Sequence, residues 1–398
     1  MTKYKAMLEK HYYSVFFFLF LLIYSCAVPG ELKPWEIYGV TQSFHAVDYS
    51  MGFCSRFLPG AIYSFFFDSY DEQLMNIYLS VLMIVFFFIL SIFLEKFMLN
   101  VASEYRLIAL VILLFFITGP ATFSIYIKVL GMFDVYWVFS ALLFFILLSK
   151  KETWFLLFIP FLVCVLTYYV TWLCYIPFFI IIVLYKISVT EKKKDRIYLW
   201  SSLVFSVIAS VALTIYFVLF EKENLIYSED EFVNVLNARG IGYAAYYTEC
   251  LYYHVEDTIV TGNILDELMF RLSINFNNFN MFLPIPLYLL LAPVVVLVYR
   301  FFFKQISICG SKMKKFSYVC MLLLFAGTLV STFFMSMDFV RWAGHAFLPL
   351  FIGFLYVLYN EGTTAWETVK EFFEKYPLRR IIVFLIFYAA VVYDPYLV

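Results

Sequence analysis

MNIYLSVLMIVFFFILSIFL, residues 75–94, decides the fold class. It carries no charge over about the 20 residues that an α-helix needs to cross the hydrocarbon layer of a bilayer. Comparable apolar runs occur at 12–29, 104–122, 133–149, 154–168, 171–185, 197–220, 283–303, 317–336, 344–359 and 380–393. The chain is 64% hydrophobic and 23% aromatic with a mean hydropathy of +0.87, which excludes an ordinary soluble globular domain. The expected fold is all-α: a single integral membrane domain over residues 1–398, with about 11 transmembrane helices (about 10–12).

Lys and Arg set the expected orientation. With the N-terminus in the cytoplasm, the outer segments hold Lys33, Arg56, Lys128, Lys222, Arg239, Arg271 and Arg341, and every other basic residue falls inside. Most acidic residues fall outside, so the net charge of −1 conceals a positive inner and a negative outer face. The first run follows a basic N-terminus like a signal peptide. The SCAVPGELKPW stretch after it lacks a small-x-small cleavage site, so a retained anchor is expected.

The connections divide unevenly. Outer loops are expected at about 30–74 and 221–282, and loops of that length are commonly functional. Residues 360–379 place Trp366, Val369, Phe372 and Phe373 near helical spacing, as expected of an amphipathic segment on the inner surface. Residues 154–185 lie between inner basic loops and are too few for two ordinary spans. A short helical hairpin meeting near Tyr168–Trp172, or a re-entrant segment, is expected there, with Pro160 and Pro177 breaking hydrogen bonds. Seven cysteines show no CxxC pair; only Cys54 and Cys250 fall in outer loops, where a disulfide between them is one possibility.

Ionisable side chains beside apolar runs are costly and mark candidate sites. Asp338-Phe-Val-Arg341-Trp-Ala-Gly-His345 is the densest knot, and helical spacing lets Asp338, Arg341 and His345 share one face. Asp134 opens the fourth run, and His45, Asp48, Arg56 and Asp68 lie in the first outer loop. An arginine can hold phosphate oxygens, and a carboxylate can take a proton from a hydroxyl nucleophile. Structural readings stand beside these. Asp338–Arg341 can be a local ion pair, Asp134 a helix-start residue, Arg56 a snorkelling cation and His345 a packing residue. His45, Asp68 and Glu229-Asp230-Glu231 are expected to be solvated. No Gly-rich phosphate loop, GxSxG, HExxH or zinc spacing occurs, so the sequence names no cofactor and leaves a divalent metal open.

At Asp48-Tyr-Ser-Met-Gly52-Phe-Cys-Ser-Arg56-Phe-Leu-Pro-Gly60, Asp134 and Asp338-Phe-Val-Arg341-Trp342, the chain resembles a group of uncharacterised bacterial multi-pass envelope proteins. In architecture these are similar to the C-class membrane glycosyltransferases, which use polyprenyl-phosphate sugars. The resemblance implies a multi-pass protein of the bacterial cytoplasmic (inner) membrane that acts at the outer face. Its partners would be a polyprenyl-phosphate-linked sugar, an envelope glycan, lipid or protein acceptor, and membrane lipids, with no nucleic acid. Asp48 would be the catalytic base; Arg56, Asp134, Asp338, Arg341 and His345 would bind substrate. The chain departs from the group at the short hairpin, which carries Tyr168, Tyr169 and Trp172 in place of an acid or histidine. Two alternatives remain: a surface-polysaccharide polymerase using outward Arg239 and Arg271, and a non-enzymatic transporter or flippase, which predicts internal repeats and midplane charges.

Overall fold

The computed structural model describes residues 11–27, 35–37, 41–119, 126, 130–256, 285–335 and 339–374. These are helical, and no strand occurs among them beyond one isolated bridge, Ile37 to Leu130. In chain order the α-helices are α1 Tyr12–Ala27, α2 Thr41–His45, α3 Leu58–Phe66, α4 Glu72–Asn100, α5 Arg106–Thr118, α6 Phe133–Ser149, α7 Phe158–Thr167, α8 Tyr175–Val189, α9 Lys193–Asn224, α10 Glu229–Ala238, α11 Ala244–Glu256, α12 Ile285–Ile308, α13 Lys312–Met335, α14 Phe339–Glu361 and α15 Thr363–Glu374. Five of them (α4, α9, α12, α13 and α14) are long and apolar enough to cross a membrane. The chain is thus an all-helical protein with the helices of a membrane protein. The expected run at 380–393 lies outside the described residues.

The chain divides into two compact units. One comprises residues 1–35, 81–128 and 275–398. In it α14 is the central element: its apolar window is 83% buried, against 28% for α13. Gly353 brings α14 close to α13, since a Cβ there would meet Met321 Cε at 2.7 Å. The inner segment expected at 360–379 is helix α15, with Ala365, Trp366, Thr368 and Val369 buried. Trp366 stacks on Tyr105 at 6.0 Å and meets Phe97 edge-on at 5.9 Å, while Phe372 and Phe373 are half-buried. The apolar face expected from the spacing is therefore packed against protein at its first two members.

The second unit comprises residues 36–80 and 129–274. Its α9 is 32 residues long, roughly 48 Å at 1.5 Å per residue, and overruns the expected 197–220 at both ends. Only 22% of its apolar window is buried. Val204, Ile208, Val211, Ile215 and Leu219 form an exposed stripe at helical spacing, the surface a lipid-facing helix presents. Its opposite face buries Ser202, Ser206 and Ser210, each hydroxyl donating to the carbonyl one turn back at 2.7–3.0 Å. Small, internally satisfied side chains let α7 pack closely there.

The expected hairpin at 154–185 is two short α-helices of 10 and 15 residues, α7 and α8, joined by a 3-10 turn at Tyr169–Leu173. The expectation for its prolines was wrong. Pro160 and Pro177 each lie in the first turn of their helix, where an N–H has no partner within the helix, so they start α7 and α8 and break no bond.

The two expected outer loops also contain more structure than loops. Residues 46–75 and 232–251 share one hydrophobic core that includes Val47, Met51, Phe57, Tyr63, Phe232 and Tyr247, all fully buried or nearly so. The acidic run Glu229-Asp230-Glu231 is exposed as expected, and it also starts α10. There Glu231 accepts from both the backbone N–H and the hydroxyl of Ser228, at 2.9 and 2.8 Å.

Candidate functional site

The stretch from Asp48 to Gly60 is held on the end of α9 by its backbone. Ile226 N–H donates to the Met51 carbonyl at 3.0 Å, and the Asn224 side-chain amide donates to the Phe53 carbonyl at 3.0 Å. Two glycines make this possible. Gly52 has φ +142, and a Cβ on it would lie 2.4 Å from the Asn224 carbonyl oxygen. A Cβ on Gly60 would lie 1.7 Å from the Val47 carbonyl oxygen. The spacing of Asp48, Gly52, Arg56 and Gly60 is thus first a packing pattern.

Arg56 is the unusual member. Its backbone is left-handed, at φ 73, a conformation that costs a non-glycine residue about 1 kcal/mol or more. Its N–H donates to the Leu166 carbonyl at 2.9 Å, fixing the loop to the end of α7. The side chain is 7% exposed, so it does not snorkel to headgroups. Its guanidinium lies over the Tyr168 ring at 4.1 Å, and its Nε is buried with no hydrogen-bond partner. Burial opposes the charge, but Tyr168, Glu221, Tyr169 and Tyr247 outweigh it and hold the group above the ordinary arginine value. A buried arginine stacked on a phenol, with no protein acceptor, is equipped to receive an oxyanion.

Glu221, in the last turn of α9, faces this region. One carboxylate oxygen accepts the Ser55 backbone N–H at 2.7 Å and the Ser55 hydroxyl at 2.5 Å. Glu221 is 7% exposed and lies within electrostatic reach of Arg56 without forming an ion pair with it. The Cys54 thiol donates to the Glu221 backbone carbonyl at 3.4 Å. Cys54 is a free thiol, so the possible disulfide to Cys250 is not formed.

Asp48 belongs to a separate network. Its Oδ1 accepts from Ser50 N–H at 2.8 Å, capping the 3-10 turn Tyr49–Met51. Its Oδ2 accepts from the Tyr70 hydroxyl and from Arg239 Nη1, each at 3.2 Å. Arg239 also donates to the Ala46 carbonyl and lies over the Tyr70 ring at 4.4 Å. Burial raises the Asp48 carboxyl, but the bonds from Ser50, the Arg239 charge and Tyr70 outweigh it and leave it below the ordinary carboxylate value. Both oxygens are engaged, and the group is a weak base.

His45, expected to be solvated, is fully buried. Nδ1 contacts the Thr41 carbonyl at 3.0 Å and Nε2 the Tyr136 hydroxyl at 2.9 Å. A carbonyl only accepts, so Nδ1 carries the proton and Nε2 accepts from Tyr136. Burial lowers His45 to about 4, partly offset by the Thr41 bond, so the ring is neutral near pH 7. The apolar loop core explains the discrepancy: α2 turns His45 inward against α6. Asp68 is exposed, as expected.

Of the remaining expected residues, Asp134 belongs to the second unit, and Arg341 and His345 to the first. Asp134 is buried in the first turn of α6, 1% exposed. Arg341 and His345 fall one helical turn apart on α14, in the other unit, so they share a face as expected. His345 is fully buried, packed against Trp342 and Tyr126 at ring distances of 5.6 and 6.1 Å. Asp338 lies outside the described residues. No group of three or more His, Cys, Asp or Glu suited to a metal ion occurs among the described residues. Glu221 and Ser55 were missed in the sequence. The available signal was that Glu221 directly follows the apolar FVLF of α9, so it still belongs to the helix.

In comparisons with known proteins, no family model, no curated protein and no solved structure matches the chain.

Proposed function

We propose that the protein is a membrane glycosyltransferase that moves a sugar from a polyprenyl-phosphate donor to an envelope polysaccharide, lipid or protein. In this reading it sits in the bacterial cytoplasmic membrane with its N-terminus inside, about 11 spans, and its site at the outer face. The observation that carries it is Arg56: a buried guanidinium with no acceptor from the protein, stacked on Tyr168 beside the end of the lipid-facing helix α9. A lipid phosphate is the ligand class that matches this demand, since its chain partitions into the bilayer and its oxygens are charged acceptors suited to a guanidinium.

The reaction needs the phosphate held as charge builds on it and a carboxylate to receive the acceptor's proton. The test is to incubate the purified protein in nanodiscs with polyprenyl-phosphate sugars and measure released lipid phosphate. Turnover that falls at least tenfold in Arg56→Lys, with folding intact, supports the reading, because lysine keeps charge but not the planar fork. A wild-type protein that neither binds polyprenyl phosphate nor releases it sinks it.

A further inference from the structure

Two buried groups of opposite charge face the same region without pairing. Arg56 offers its guanidinium to no protein oxygen, and Glu221 has one oxygen occupied by Ser55 and the other without a hydrogen-bond partner. Opposite charges this deeply buried ordinarily pair directly, because leaving either unsatisfied is strongly destabilising. A ligand that presents an anion to one and a hydroxyl proton to the other would satisfy both groups. The carboxylate expected to take that proton, Asp48, has both oxygens engaged, by Ser50 on one and by Tyr70 and Arg239 on the other.

We infer that Glu221, rather than Asp48, is the catalytic proton acceptor of the Arg56 site, with Ser55 as its positioning residue. The inference rests on the glycosyltransferase reading and deepens it. In the step, the acceptor hydroxyl oxygen forms a bond to the anomeric carbon of the donor sugar. The bond from that carbon to the phosphate oxygen breaks, and its electron pair stays on the phosphate. The hydroxyl proton passes to the unengaged oxygen of Glu221. The donor phosphodiester carries one negative charge and the lipid phosphate released carries two, so the proton on Glu221 balances the charge. Arg56 faces the leaving group as that second charge develops.

Ser55 fixes the geometry by donating twice to a single oxygen, which leaves the other oxygen without a bond from the loop. A glutamine at 221 keeps an oxygen for both Ser55 bonds, so Glu221→Gln is expected to fold while losing the ability to accept a proton.

The experiment uses the full chain in nanodiscs, with polyprenyl phosphate as the binding probe and polyprenyl-phosphate sugar as substrate. Glu221→Gln is expected to bind polyprenyl phosphate within about twofold of wild type. Its kcat should fall at least 100-fold, the range of general-base removal, with the donor KM unchanged. Turnover near wild type overturns the inference, as does a raised KM with kcat intact, which marks Glu221 as a structural counter-charge. Glu221→Asp covers the case in which the glutamine variant does not fold. It keeps a carboxylate set back by one methylene, and at least a tenfold loss in kcat with binding retained is expected. Wild-type turnover in that variant overturns the assignment. Wild-type protein that is silent in both assays overturns the glycosyltransferase reading itself, before any variant is compared.

Discussion

Ser55 donates its backbone N–H and its hydroxyl to the same oxygen of Glu221, at 2.7 and 2.5 Å. This joins the first loop to the last turn of α9, the longest helix among the described residues, and places Arg56, the next residue, beside a carboxylate it does not bond. Ser55→Ala is expected to leave the backbone bond and lose the shorter one. A hydrogen bond to a buried charged group contributes about 1.5–3 kcal/mol. A fall of that size in unfolding free energy, measured by denaturation in detergent, checks it; an unchanged stability shows that the contact carries no load.

Gly60 approaches the backbone of Val47 so closely that an added Cβ would lie 1.7 Å from its carbonyl oxygen. Neither partner is the end of a flexible side chain, so the loop has to move. Gly60→Ala is expected to cost about 3 kcal/mol, the upper end for overpacking. Gly327, in the middle of α13, has nothing within 4 Å of its would-be Cβ. Alanine there is expected to be neutral or stabilising by up to about 1 kcal/mol. Melting temperatures of the two variants should move in opposite directions or differ by many degrees; equal shifts would refute the close approach.

His45 supplies a pH dependence with a definite sign. Its folded value of about 4 lies below the ordinary 6.5, so between these values the unfolded chain binds the proton and the folded one does not. Stability therefore falls as pH drops from about 6.5 to 4, by up to about 3 kcal/mol, and is unaffected by this group above pH 7. Chemical denaturation of wild type and His45→Gln across that window checks it. The variant's curve should lack the dependence, and a flat wild-type curve would exclude a buried neutral ring.

Asp48 predicts the opposite limb. Its carboxyl is held below the ordinary 3.8, so its stabilising effect is complete above that value and is lost as pH falls through the lower folded value. Arg239 is partly exposed, which screens the pair, and about 1 kcal/mol or less is expected. In Asp48→Asn the difference from wild type should be constant above pH 5 and vanish in stronger acid. A difference that persists at pH 2 would place the effect in packing.

Helix positions were legible because burial and lipid contact impose apolar runs. The run at 133–149 coincides with α6, and the short hairpin was forced by the length of 154–185. The loops were less legible. The core of Val47, Phe57, Phe232 and Tyr247 joins residues far apart in sequence and has no periodic signature, so His45 was read as solvated when that core buries it. Glu221 was hidden by its neighbours Lys222 and Glu223, which make the end of an apolar helix read as the start of a charged loop. Arg56 stands out in the sequence as a lone cation between Gly52 and Gly60 in an otherwise uncharged stretch, whereas the close packing of those glycines is visible only in the structure.

Replacing Arg56 separates stability from binding. A buried cation without an acceptor is destabilising, and an unbranched apolar side chain of similar length removes that cost while keeping the stem contacts. The left-handed backbone strain is common to both residues and cancels. Arg56→Met is therefore expected to raise the unfolding free energy of the unliganded protein by about 1 kcal/mol. The same change should abolish any added stability from polyprenyl phosphate, which in wild type grows with ligand concentration through mass action. Thermal melts of both proteins over a titration of polyprenyl phosphate read the two effects together. A variant that is less stable than wild type without ligand would mean that the guanidinium is satisfied inside the protein, and the site would lose its reason to bind an anion.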